Sequence, residues 1–250
     1  MWTIYWGVLV TFKPEAGEEK GSVMAWDFGV RVFHWLLVIL VLSAWVTAEW
    51  GDMEMRWHKW NGYAIFFILV FRFTWGFLGG HTARFINFVY GPVKIVAYAR
   101  GLRARKPSKY LGHNPLGALM VLLMLVVLLG QVASGLFSSD GLFAYGPLSG
   151  FVRGSTAENF ALIHEFGFYL VLLLVFFHVV AILVYLFVLR ENLVKPMLTG
   201  KKNSQNYLDE SKPTKVMFLR LIFCVLVSVF IVLFVVSGFD LYELPSVLLD

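Results

Sequence analysis

Five apolar stretches, each long enough to cross a bilayer, constrain this chain more than any other feature. They cover residues at about 30–48, 60–79, 115–137, 160–189 and 216–238. A transmembrane helix needs about 20 mostly apolar residues. Apolar residues make up 59% of the chain and charged residues only 15%, whereas about 25% of a soluble domain is charged. The sequence therefore predicts an all-α integral membrane protein with five transmembrane helices.

The basic residues predict how these helices are oriented. They concentrate in the connection between the second and third helices and in that between the fourth and fifth, whereas the other two connections and the carboxyl-terminal tail are mixed or acidic. The positive-inside rule then predicts a cytoplasmic amino terminus and a periplasmic carboxyl terminus in a bacterial inner membrane. The net charge of +5 thus reflects topology, and no nucleic-acid partner is expected.

Two histidines in the fourth apolar stretch carry the strongest functional signal. His164 and His178 are fourteen residues apart, which places them on nearly the same helix face and roughly 21 Å apart along the axis. With the predicted orientation, His34 lies at the inner level of the membrane and His58 at the outer level. The depths therefore match His34 with His178 and His58 with His164.

Two imidazole pairs at two depths favour two b-type haems. A low-spin haem takes two opposed axial ligands, and neutral imidazole is a good ligand for iron. Zinc would instead need three or four ligands at one depth. A proton relay and purely structural histidines remain alternatives. The single cysteine, Cys224, and the lack of a C-x-x-C-H motif predict that any haem is bound non-covalently.

Two arginines are candidate partners of such a cofactor. Arg72 interrupts an apolar run fourteen residues after His58, so it faces the same way at the inner level. It is predicted either to snorkel to the headgroups or to bind a haem propionate or quinone carbonyl. Arg31, three residues before His34, is a second propionate candidate. His113 is interpreted as an interfacial or capping residue, with a role near the inner haem as the alternative.

Several motifs resemble the bacterial cytochrome b561 group, which also includes the b-type cytochrome subunits of nickel–iron hydrogenases. They run from Trp26-Asp27-x-x-x-Arg31-x-Phe33-His34-Trp35 and His58-x-x-x-Gly62-Tyr63, through Phe71-Arg72-x-x-Trp75-Gly76-Phe77 and His113-Asn114-Pro115-Leu116-Gly117, to Arg190-Glu191-Asn192-Leu193. The resemblance implies a four-helix transmembrane bundle that binds two haems. It implies axial ligation by His34, His58, His164 and His178.

The resemblance also implies electron exchange between the membrane and a redox partner. We expect an electron-transfer protein that links ubiquinone or menaquinone to a periplasmic c-type cytochrome, another redox subunit or a small oxidant such as superoxide. The alternatives are the membrane subunit of a hydrogenase or dehydrogenase complex and, from another class, a haem-free transporter or structural protein. Whether the chain is itself a quinone-linked oxidoreductase or a subunit of one is left open.

The domain organisation follows from the same pattern. We predict an amino-terminal extension at 1–25, a di-haem transmembrane domain at 26–200, a polar linker at 201–215, and a fifth transmembrane helix with its tail at 216–250. The opening Met1–Phe12 is too short to span a membrane, and Lys201–Lys212 is predicted to be disordered. The fifth helix contains no histidine, so we expect it to pack against a partner or to seal the bundle.

Overall fold

The structure, a computed structural model, describes residues 21–53, 55–104, 108–203, 207 and 218–239. Five of its helices are long and apolar enough to cross a membrane. In chain order the elements are β1 (Ser22–Met24), α1 (Phe28–Trp50), α2 (Arg56–Leu78), α3 (Phe85–Phe88), α4 (Pro92–Arg103), α5 (Pro115–Phe137), α6 (Gly154–Phe187), α7 (Val194–Thr199), β2 (Lys201–Asn203) and α8 (Phe218–Val236). The predicted all-α membrane fold with five spanning helices is confirmed.

One helix boundary differs clearly from the sequence prediction. The fourth spanning helix, α6, begins at Gly154, about two turns before the predicted start near residue 160. The residues of these two turns are mostly small or polar, so they do not belong to the apolar run that defines the span. The helix therefore extends beyond the stretch that hydropathy detects.

The spanning helices pack as a chain of neighbours. α1 packs on α2, α2 packs on α5, and α5 packs on α6, while α8 packs on the side of α2. Among the described residues, α1 and α6 are not a closely packed pair. Among the spanning helices, α6 therefore packs mainly on α5.

The fifth spanning helix, α8, docks on α2 through a stripe of buried residues spaced four apart. This stripe consists of Cys224, Ser228, Val232 and Val236. Cys224 is completely buried in the main apolar core. The Arg220 guanidinium donates to the Leu78 carbonyl at 3.3 Å, which joins the start of α8 to the end of α2.

A short antiparallel ladder joins the chain before α1 to the chain after α6. Its register pairs Ser22 with Asn203 and Met24 with Lys201. The prediction that Lys201–Lys212 is disordered is therefore wrong for residues 201–203, because a backbone ladder orders them without any apolar pattern. Apart from Tyr207, the rest of that stretch lies outside the described residues, as does the opening Met1–Phe12.

Asp27 fixes the start of α1 against the end of α2. Its carboxylate caps α1 by accepting from Val30 N at 2.9 Å, and it also accepts from the Trp75 indole N–H and from Gly80 N, both at 3.0 Å. Trp75 is almost fully buried. Because these bonds set how α1 and α2 are placed at this end, they also set the positions of Arg31 and Arg72.

Candidate cofactor site

The structure brings together the two histidine pairs that the depth argument predicts. The ring centroids of His58 in α2 and His164 in α6 are 5.8 Å apart, with their planes at 89°. Those of His34 in α1 and His178 in α6 are 6.4 Å apart, with their planes at 52°. We call the ends that carry these pairs the outer and the inner end, following the orientation predicted from charge.

The ring separations fit two imidazoles on opposite sides of one metal ion. An imidazole nitrogen binds a metal such as zinc at about 2.0 Å, and the ring centre lies about 1 Å behind that nitrogen, so opposed ligands have centroids about 6 Å apart. Both pairs have this spacing. No group of three or more histidine, cysteine or acidic side chains able to hold a metal is found in the described parts of the chain.

Backbone carbonyls orient both rings of the outer pair. His58 Nδ1 lies 2.9 Å from the Ala44 carbonyl, and His164 Nδ1 lies 2.8 Å from the Gln131 carbonyl. A carbonyl only accepts, so each Nδ1 carries the proton and donates it. The lone pair of each ring is then on Nε2. Such a second bond is what fixes the tautomer and the orientation of a metal-binding histidine.

A glycine on α5 makes the position of His164 possible. A Cβ at Gly135 would lie 2.8 Å from His164 Cε1, closer than side chains approach one another. The neighbouring Gln131 amide donates to the His164 carbonyl at 2.7 Å. α5 therefore holds the ring from behind, with its backbone too close for any larger residue.

The inner pair is less constrained by the protein. Trp35 packs edge-on against His34, with centroids 5.0 Å apart. His34 Nδ1 is buried and has no hydrogen-bond partner among the described residues. The inner pair therefore has a spacing similar to that of the outer pair, but His34 lacks the hydrogen bond that orients His58 and His164.

Arg72 is a buried cation at the inner end of α2. It is only 2% exposed, so the snorkelling interpretation is wrong. Its guanidinium lies over the rings of Phe85 and Phe88, at 4.9 and 5.7 Å from their centroids. Both terminal nitrogens lack a hydrogen-bond partner among the described residues. Since burying an unpaired charge is costly, this group fits an anionic or carbonyl ligand.

Arg31 and His113 add polar atoms of the same kind at the inner end. Arg31 Nε and His113 Nδ1 are buried without a partner in the part of the chain that the structure describes. The His113 ring packs on Trp26 and Phe88, with centroids 4.6 and 4.7 Å away. Burial, and then the charge of Arg72, lower the pKa of His113 to about 3, so its ring is neutral at pH 7.

The capping interpretation of His113 is wrong. The cap of α5 is Asn114, whose side-chain oxygen accepts from Gly117 N at 2.8 Å.

The Asn114 amide also donates to the Tyr185 hydroxyl at 2.9 Å, and that hydroxyl lies 2.7 Å from the hydroxyl of Tyr98. These bonds tie α4 and the start of α5 to α6, two turns beyond His178. Burial also raises the pKa of Tyr98, which keeps its proton available for this bond.

An all-helical membrane bundle with opposed imidazoles in its interior is the arrangement of a membrane b-type cytochrome. The family model for prokaryotic cytochrome b561 matches residues 25–200, which is well over half of the chain. The chain therefore belongs to the prokaryotic cytochrome b561 family, whose members are multi-pass membrane proteins of electron transfer that bind b-type haem. No curated protein and no solved structure matches the chain.

Gly135→Ala tests the close approach of α5 to His164. The added methyl group would clash with the His164 ring, so the ring must move. That movement would disturb the hydrogen bond from His164 Nδ1 to the Gln131 carbonyl. We expect the haem bound per chain to fall, as measured by haem quantitation on the purified protein. Gly130→Ala, on the same helix, is the matched control because a Cβ there meets no atom within 4 Å. Equal haem content in both variants would contradict this role.

Proposed function

We propose that the protein is a di-haem b-type cytochrome that transfers electrons between the quinone pool of a bacterial inner membrane and a periplasmic redox partner. The observation that carries the proposal is the pair of imidazole separations, 5.8 Å at the outer end and 6.4 Å at the inner end. Two pairs on one helix, fourteen residues apart, correspond to two sites roughly 21 Å apart across the bilayer.

Each site would be held by residues from two helices. His58 and His164 would be the axial ligands of the outer haem, and His34 and His178 those of the inner haem. When bound, a b-type haem would supply a one-electron carrier at each site. Apolar side chains of the spanning helices would surround the bound groups in the bilayer. The carbonyls of Ala44 and Gln131 hold the outer ligands in position.

The inner end provides cations for the acidic groups of its haem. Arg72 and Arg31 would donate to the propionates, since charge-assisted bonds of guanidinium to carboxylate are among the strongest hydrogen bonds in proteins. The buried nitrogens of both residues lack partners among the described residues. His113, neutral and buried beside Arg72, would supply one further polar atom to the same ligand.

The proposed orientation of the protein in the membrane rests on the distribution of its basic residues. The connection between α2 and α5 carries exposed Lys94, Arg100 and Arg103, so positive-inside places it in the cytoplasm. The inner site then lies near the cytoplasmic face and the outer site near the periplasm. A periplasmic partner such as a c-type cytochrome would meet the outer site, while ubiquinol or menaquinol is supplied within the bilayer.

Purified protein in liposomes tests this function. We expect ubiquinol or menaquinol to reduce the haem bands, and a c-type cytochrome added outside to reoxidise them at least tenfold faster than it does with His164→Ala. Haem that dithionite reduces but neither quinol reduces would overturn the link to quinone. Equal rates with wild type and His164→Ala would overturn the assignment of the outer site as the exit.

A further inference from the structure

Apart from the candidate cofactor site, a pocket lies at the outer end, on the side of the bundle covered by α8. It has a volume of about 230 Å³ and lies between the first turns of α2, the connection from α5 to α6 and the end of α8. We infer that it binds the phosphate headgroup of an anionic phospholipid. A water molecule takes about 30 Å³ in the liquid, so the pocket has room for a phosphodiester group. Its polar and aromatic lining comes from Arg56, Lys59, Trp60, Tyr63, Tyr145 and Ser237.

This pocket is separate from the candidate cofactor site. At about 100° per residue, Arg56, Trp60 and Tyr63 lie roughly 140° to 160° around α2 from His58. His58 faces His164 on α6, whereas the pocket is lined by Val236, the last residue of α8, and by Ser237 and Gly238 directly after it. The pocket also depends on a helix that lies outside the matched residues 25–200. Part of its lining therefore lies outside the residues that the family model matches.

Two cations line the pocket without a salt-bridge partner among the described residues. Arg56 is exposed and Lys59 is half-buried. Neither forms a salt bridge with any carboxylate of the described residues. The nearby Asp52 is engaged with the backbone, since its carboxylate accepts from Arg56 N at 2.7 Å. Two neighbouring cations on one wall of a pocket thus remain for an external anion.

The position of the pocket favours a lipid over a free anion. Tryptophan and tyrosine are enriched where a membrane meets water, and three such rings line this pocket. Exposed apolar side chains lie close by in sequence, at Phe234 in the last turn of α8 and at Phe239 after its end, where acyl chains would run. A lysine and an arginine beside the headgroup layer attract an anionic lipid headgroup electrostatically. A headgroup bound here would also bridge α2 and α8.

Native mass spectrometry of the full-length protein tests this site with three probes: phosphatidylglycerol, phosphatidylcholine of the same chain length, and inorganic phosphate. We expect one phosphatidylglycerol per chain, bound at least tenfold more tightly than phosphatidylcholine. The double variant Arg56→Gln/Lys59→Gln should lose this preference. Arg153→Gln, an exposed arginine before α6 at the same end, should keep it.

Three results would overturn the inference. They are unchanged phosphatidylglycerol affinity in the double variant, equal affinity for phosphatidylcholine in the wild type, and displacement of the lipid by inorganic phosphate, which would identify a free-anion site. Haem content is measured on the same samples. Because the pocket faces away from His58, haem content should stay equal in all three proteins. A loss of the lipid preference is thus distinguishable from a failure of the haem assignment.

Discussion

His164→Ala is expected to remove one of two haems from the protein. The substitution deletes one side of the outer pair, whose rings are 5.8 Å apart, and a single remaining imidazole holds a haem far less tightly than two. His58→Ala should remove the same haem. Haem quantitation with a reduced-minus-oxidised spectrum would show about one haem per chain in either variant. The remaining haem should have the same midpoint potential in both.

Double variants make this prediction specific to the pairing. If His58 and His164 hold one haem, the variant that lacks both should still bind about one haem per chain. The variant that lacks His34 and His164 should bind none, because it breaks both pairs. His81→Ala is the control, since His81 lies in a short turn outside the spanning helices and should keep both haems. One haem retained in the His34/His164 variant would contradict the assigned pairs.

Arg72→Met is expected to weaken the inner haem while stabilising the protein without haem. The guanidinium is 2% exposed with both terminal nitrogens unpartnered among the described residues, so an apolar replacement removes a costly buried charge from the haem-free form. In the loaded form it removes a charge-assisted hydrogen bond, which contributes about 1.5–3 kcal/mol. That corresponds to roughly a tenfold to hundredfold loss of haem affinity.

The midpoint potential provides a second measurement on the same variant. Loss of a nearby positive charge favours the oxidised haem, so the potential of the inner haem should fall and that of the outer haem should stay unchanged. Arg100→Met, which removes an exposed cation from α4 at the same end, should leave affinity and potential unaltered. An Arg72→Met protein with wild-type haem affinity and potentials would show that Arg72 does not contact the cofactor.

The spanning helices and the histidine pairs could be predicted from sequence because both depend on coarse physical quantities. Hydropathy defines the spans, and charge asymmetry with helical rise places His34 beside His178 and His58 beside His164. The sequence does not reveal which residues surround Arg72. Snorkelling and ligand binding were equally compatible with its depth, and only the contacts with Phe85 and Phe88 show that it is buried.

Sequence analysis did not predict the features that depend on close approach between segments far apart in the chain. The role of Gly135 depends on the distance between α5 and the His164 ring, which no local pattern encodes. The ladder of residues 22–24 with 201–203 forms from polar residues far apart in sequence. The burial of His113 is likewise created by Trp26 and Phe88, which belong to other segments. The pocket between α2 and α8 requires knowing which helix the fifth span contacts.

The most direct test of the account is haem quantitation with a reduced-minus-oxidised visible spectrum on the purified wild-type protein. The account predicts two non-covalently bound b-type haems per chain, both extractable into acidified organic solvent and both low-spin. A protein with one haem per chain would show that one of the two imidazole pairs does not ligate iron. A protein without haem would contradict the central claim, and the four histidines would then have to act in packing or proton transfer.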